Sequence, residues 1–256
     1  MYDTSFSRFY DGPDKIARTA LNPVQREKFY KSAVDLTPVN LEAALCGRVL
    51  MDFGLRVGEL SHITESWIKR RKHPKTGNLH WCIDIPKGER CIGGSGSKEE
   101  SSNMYDKGQP CFECRNRLYG DKDWVDDEFH EKYPFHPKSR ASFRTVIWAL
   151  PKDSCRETAQ LLKGFLTPRR QFPVGRKAIA NNVARIADDA GIKRHVTNHA
   201  LRHTYGMRLA AAGKTLNDIM NQMRHNSIAM ARYYSDEGGT DTLDAIQRSW
   251  DADEDF

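Results

Sequence analysis

The chain has no run approaching the ~18 consecutive apolar residues that cross a bilayer, so neither a membrane-spanning helix nor a membrane partner is expected. Its first residues, Met1-Tyr2-Asp3-Thr4-Ser5-Phe6, lack the basic start and apolar stretch of a secretory signal, and a cytoplasmic location is the expectation. A disulfide framework is missing as well. Six cysteines over 256 residues do not make a secreted scaffold. Cys46, inside an apolar helical run, and Cys155, beside charged residues, read as unpaired thiols; Cys82, Cys91, Cys111 and Cys114 fall together in one region. Acidic excess is the last absence. Forty Lys and Arg against 34 Asp and Glu leave a net charge of +6, which favours a polyanionic partner. The positive charge is local, in Lys69-Arg70-Arg71-Lys72 and in Arg169-Arg170 with Arg176-Lys177.

A hydrophobic fraction of 39% is enough for a core, and the length suits one large domain or one with decorations. A helix is predicted over Pro23–Val34. Another follows from Leu41, with Leu45, Val49 and Phe53 at successive i+4 steps and Gly54 as its stop. Strand formers alternate over Leu79–Ile85 and again over Phe143–Leu150. The basic connector Thr167–Lys177 leads into a helix that buries Ile179, Val183 and Ile186 and ends at Gly191; its other side carries Lys177, Asn181, Asn182 and Arg185, which suit phosphates and base edges.

The densest pattern runs from Asn198 to Ser235. Leu201, Tyr205 and Leu209 make a buried helical stripe, with Asn198 as the expected cap and Gly213 as the stop. His199 and Arg202, three apart, share a face beside it. A second helix is capped by Thr215 and buries Leu216, Ile219, Met220 and Met223; His225 closes it, and Tyr233-Tyr234 follow. An arginine to bind a non-bridging oxygen, histidines to donate or move protons and a tyrosine hydroxyl to attack are what metal-free phosphoryl chemistry needs.

The string His199-Ala200-Leu201-Arg202-His203-Thr204, then Arg224-His225-Asn226-Ser227 and a Tyr nine positions after His225, resembles the signature of the tyrosine recombinase (integrase) family. So does Gly54-Leu55-Arg56-Val57-Gly58-Glu59-Leu60, where that family carries an earlier arginine. The segment from Pro137-Lys138 to Arg144-Thr145 is closest in style to integrases of archaeal viruses and plasmids. The resemblance implies an α+β, mainly helical catalytic domain with a small antiparallel sheet and, here, an inserted Cys-containing loop. It implies a site-specific recombinase acting on double-stranded DNA as a homo-oligomer, a tetramer on paired sites, with no catalytic cofactor. Arg56 and Arg202 would clamp the phosphate, His225 would donate to it, and His199 would assist the tyrosine proton. Lys138 would protonate the leaving 5′ oxygen, with Lys87 as its competitor. Tyr234 would be the nucleophile, with Tyr233 as the alternative, and Glu59 would orient the site through hydrogen bonds. Arg224 departs from the family, which usually has Gly there. A type IB topoisomerase and a non-catalytic DNA-binding protein on the same fold are the competing functions.

Residues 1–40 are expected to be a short extension without the family's upstream DNA-clamping domain. The catalytic domain is expected over 41–235 with an insertion at about 88–137, and a helix striped by Leu243, Ile246 and Trp250 precedes an acidic tail in 236–256. Within the insertion, Gly93–Asn103 reads as a flexible loop. Cys111 and Cys114 have the C-x-x-C spacing that reaches one tetrahedral ion, and Cys91 is the candidate third ligand for a structural zinc. Cys82, His80, His130 or His136 would be the fourth. A redox pair and inert thiols are the other readings of these cysteines.

Overall fold

The computed structural model describes residues 20–72, 77–91, 110–116, 125–138, 142, 146–149, 153–169, 171–225 and 231–232. Helix α1 (Pro23–Leu36) starts with a capping box between Asn22 and Gln25 and has Pro23 where its missing N–H costs nothing. Phe29 and Ala33 of this helix are fully buried in the main core, so the core extends across residue 40. Helix α2 (Leu41–Phe53), capped by Asn40, is the central strut: every residue from Ala43 to Phe53 is buried, with α1, α6, α7 and α8 packed around it.

Gly54 ends α2 at φ +57, in the left-handed region that glycine adopts freely. A Cβ there would lie 2.2 Å from the Tyr205 ring, so the close approach also requires glycine. The chain turns at once into the one-turn helix α3 (Val57–Leu60), and a 3-10 turn over Glu65–Trp67 feeds the sheet. The sheet is antiparallel in the order β1-β2-β3: β1 (Ile68–Lys72), β2 (Leu79–Asp84) and β3 (Val146–Trp148). Two of these strands match the sequence expectation. The first comes from the basic cluster, whose exposed Lys69 and Arg71 both pair with Asp84 across the β1–β2 hairpin. Charge hid a strand.

Short helices α4 (Phe112–Arg115) and α5 (Asp127–Lys132) lie in the insertion. Helix α6 (Asp153–Leu166) presents Cys155, Thr158, Ala159, Leu162, Phe165 and Leu166 to the core; α7 (Arg176–Asp189) presents Ile179, Val183, Ile186 and Ala187. Helix α8 (Asn198–Ala211) is capped by Thr197, whose side chain accepts from the Ala200 N–H; the expected cap, Asn198, is its first helical residue. Threonine wins because its hydroxyl sits one position earlier, within reach of the third N–H of the helix. Helix α9 (Leu216–Met223) has the expected Thr215 cap, closed as a box with Asp218. No described helix is long and apolar enough to cross a membrane. The loop at 93–103 and the helix expected over 243–250 lie outside the described residues, as do Tyr233 and Tyr234.

Candidate active site

The site is built where three chain stops converge: the left-handed end of α2, the start of α8 and the left-handed end of α9. Arg56, in the three-residue link between α2 and α3, donates through Nη1 to Glu59 Oε1 (3.1 Å) and Ser142 Oγ (2.6 Å). Its Nη2 donates to the Arg224 carbonyl (3.0 Å). Arg202, on the first turns of α8 and only 5% exposed, donates to the backbone carbonyls of Gly54 and Met223. Two guanidiniums 146 positions apart in sequence thus grip adjacent peptides at the end of α9.

Arg224 is the side chain whose place sequence reasoning missed. It occupies the left-handed conformation at φ 55, the only non-glycine among the described residues with positive φ. That conformation accounts for the glycine the resembled family has here. The guanidinium turns inward, is fully buried, and donates to Glu59 Oε2 (2.7 Å) and the Gly54 carbonyl (3.0 Å). It therefore braces the site from below and is not displayed to a ligand.

Glu59 is the hub. It accepts from the Arg56 N–H (2.7 Å) as well as from Arg56 and Arg224 side chains. Burial alone would raise its pKa, but Arg224, Arg56 and Arg202 hold it down to about 2, so it is ionised throughout the neutral range. His225 is pushed down to about 3, first by burial and then by the positive field of Arg202, Arg56 and Arg224. It is neutral at pH 7.

Above this cluster opens a cleft of about 400 Å³, lined by Arg56, Lys138, Arg176, His195, His199 and Arg202 among others. Lys138 and His199 are exposed. The His199 ring stands edge-on to the buried His203 ring at 4.1 Å. Lys87, the competitor of Lys138, instead lies over the Phe129 ring, 4.5 Å from its centroid. So Arg56, Lys138, His199 and Arg202 share one cleft, and His225 stands against its arginines. Tyr234 lies outside the described residues. His195 and Ser142 join the site without a sequence signal that marks them.

A second cluster lies beside the end of α3. Cys91, Cys111 and Cys114 come together, and the fourth side chain is His62; their ligand atoms all lie within 4.8 Å of one another, and all four residues are buried. The expected fourth ligands are elsewhere. Cys82 donates to the Lys69 carbonyl in the sheet, His80 packs edge-on to Trp148, and His130 packs against His136. The reason is topological: the turn after α3 delivers His62 to the insertion, a proximity that no local spacing encodes.

Residues 148–238 match the phage integrase family, a stretch that holds His199, Arg202, His225 and Tyr234 and leaves Arg56 and Lys138 outside it. Among solved structures, the XerA recombinase superposes with a TM-score of 0.52 at 14% identity, covering 90% of this chain and 64% of that one. The XerH site-specific recombinase bound to a palindromic difH substrate, a post-cleavage complex, gives 0.50 at 16% identity, covering 91% of this chain and 53% of that one. The chain therefore spans less than two thirds of the length of either. No curated protein sequence matches it. The resemblance carried by the motifs is borne out in sequence over 148–238 and in fold over most of the chain: a mainly helical catalytic domain of the tyrosine recombinase type with a three-stranded antiparallel sheet.

Proposed function

We propose that this protein is a site-specific DNA recombinase that cuts and rejoins strands through a 3′-phosphotyrosyl intermediate. One observation carries the reading: Arg56, Arg202 and Arg224 surround the single carboxylate of Glu59 at the foot of an open cleft. That leaves a fixed excess of positive charge where an anion can enter. A scissile phosphodiester completes the balance, and the extra negative charge of its phosphorane-like transition state is what preorganised guanidiniums stabilise most.

In this reading Tyr234 attacks the phosphorus and the 5′ oxygen departs. Arg56 and Arg202 hold the non-bridging oxygens. His225, neutral before DNA arrives, donates a hydrogen bond to them, and the incoming anion raises its proton affinity. His199 assists transfer of the tyrosine proton, and Lys138, exposed at the cleft rim, gives its proton to the leaving oxygen. Attack by a strand's 5′ hydroxyl reverses the link, so neither ATP nor a catalytic metal enters the balance. The partner is double-stranded DNA, engaged by a homo-oligomer that assembles as a tetramer on paired sites.

The decisive experiment is covalent trapping on a nicked suicide duplex. Wild type and Tyr233→Phe form a protein–DNA adduct and Tyr234→Phe forms none. An adduct that persists in Tyr234→Phe and disappears in Tyr233→Phe would transfer the nucleophile to Tyr233. Recombination between two sites, without relaxation of a one-site supercoiled plasmid, separates a recombinase from a type IB topoisomerase.

A further inference from the structure

The cysteine cluster lies against the Arg56–Glu59 turn, and the two share a short piece of backbone. His62 follows α3 by two residues. Its Nδ1 lies 2.7 Å from the Gly58 carbonyl, which can only accept, so Nδ1 carries the proton. Nε2 is then the basic nitrogen, and it faces three sulfurs: Cys91 and Cys114 at 3.2 Å and Cys111 at 3.6 Å. A zinc ion with Zn–S of about 2.3 Å and Zn–N of about 2.0–2.1 Å needs N···S edges of about 3.6 Å and S···S edges of about 3.8 Å. The four donors are thus at the scale of one tetrahedron before any ion is added. A ring whose other nitrogen is anchored to a backbone carbonyl is the arrangement that orients a metal-bound histidine.

We infer that His62, Cys91, Cys111 and Cys114 bind one zinc ion, and that this ion fixes the turn carrying Arg56 and Glu59. The donors come from three places: the turn after α3, the start of the insertion and the C-x-x-C turn at α4. Bound together, they clamp two described stretches of the insertion, at Cys91 and at Cys111–Cys114, to Gly58, the neighbour of Glu59. Two further contacts carry the same connection. Phe135 stacks on the His62 ring at 4.2 Å and 13°, and Glu113, between the two C-x-x-C cysteines, pairs with Arg176 of the cleft at 3.7 Å. His62 is a positioning residue, one step removed from the chemistry. Metal binding stands on the geometry alone, whereas its effect on DNA cleavage rests on the function proposed above.

The test starts with the full chain purified under reducing conditions. Metal analysis should give about one zinc per chain. Replacement by cobalt(II) should give the thiolate charge-transfer bands and intense visible bands of a tetrahedral sulfur-rich site. His62→Ala loses the ion on gel filtration. His62→Cys keeps it, since a thiolate replaces the imidazole, and guards against mere misfolding of the alanine variant. Hydrogen exchange reads the coupling without any activity assay: stripping the metal should speed exchange of the amides in 55–63 and leave α6 and α8 protected. A chain that holds no metal, or whose cysteines form a disulfide, overturns the site. Metal that stays bound to His62→Ala with an unchanged cobalt spectrum overturns His62 as a ligand. Unaltered exchange at 55–63, or a uniform rise over the whole chain, overturns the positioning role. Failure of the trapping assay with the metal bound would count against the recombinase reading and leave the ion in place.

Discussion

Two ionic clusters adjoin the C-terminal half of α2, and they are built to opposite rules. On one side Asp52, fully buried, accepts from Tyr30 (3.1 Å), Thr158 (2.8 Å) and Arg208 (2.9 Å), while the buried Arg48 donates to Thr158 and pairs with Glu157 at 3.0 Å. Two guanidiniums face two carboxylates, and helices α1, α2, α6 and α8 are tied together with the charge balanced. Past Gly54, three guanidiniums face one carboxylate beside an open cleft. An unbalanced buried charge is costly unless a partner arrives. The closed cluster holds the fold, and the open one waits for an anion.

The largest test of that contrast is a pair of arginines on one helix. Arg202→Ala should lower single-turnover cleavage by roughly 10²–10³, the loss typical of one transition-state donor. Arg208→Ala should leave cleavage by the folded protein near wild type and cost about 3–5 kcal/mol in urea denaturation, because it strands the buried Asp52. Equal losses of both properties in both variants would erase the distinction.

A smaller effect is expected with pH. His225 has its pKa depressed from 6.5 to about 3 and Glu59 from 4.5 to about 2. For both, the unfolded chain binds the proton more readily, so stability is full above the unfolded values and is lost as acid is added. The loss begins below pH 6.5 with His225 and is joined below 4.5 by Glu59, ending near 2. Denaturation at a series of pH values reads this loss. His225→Gln should abolish the loss between 6.5 and 4.5 and leave only the Glu59 part below 4.5. If the drop in that window survived the substitution, His225 would not be its source.

How much of this was legible in the sequence follows the reach of each signal. The central helix, the stop at Gly54, the Thr215 cap and the convergence of the two motif arginines were readable, because periodicity, caps and whole motif strings are written locally or in order. Strand β1 was not, since its outward residues are charged and mimic a solvated run. His62 was not, since a ligand contributed by a distant turn has no spacing rule. Arg224 was read as an oddity; its meaning depends on a left-handed backbone and on Glu59, 165 positions earlier. What the sequence lacked in each case was a long-range contact.

The gentlest probe of the comparison adds an anion and changes no residue. Millimolar inorganic phosphate should occupy the positive cleft and raise the thermal midpoint through mass action, by about 1 kcal/mol of stability at several times its dissociation constant. Phosphate also strengthens folding generally through exclusion from the surface, so the informative quantity is the difference from Arg56→Gln, in which the excess charge falls. The effect should be greater at pH 8 than at pH 6: His225, held near 3, is neutral at both, while phosphate carries more negative charge at the higher pH. A midpoint shift equal in wild type and Arg56→Gln at both pH values would mean that the open cluster attracts phosphate no better than the closed one.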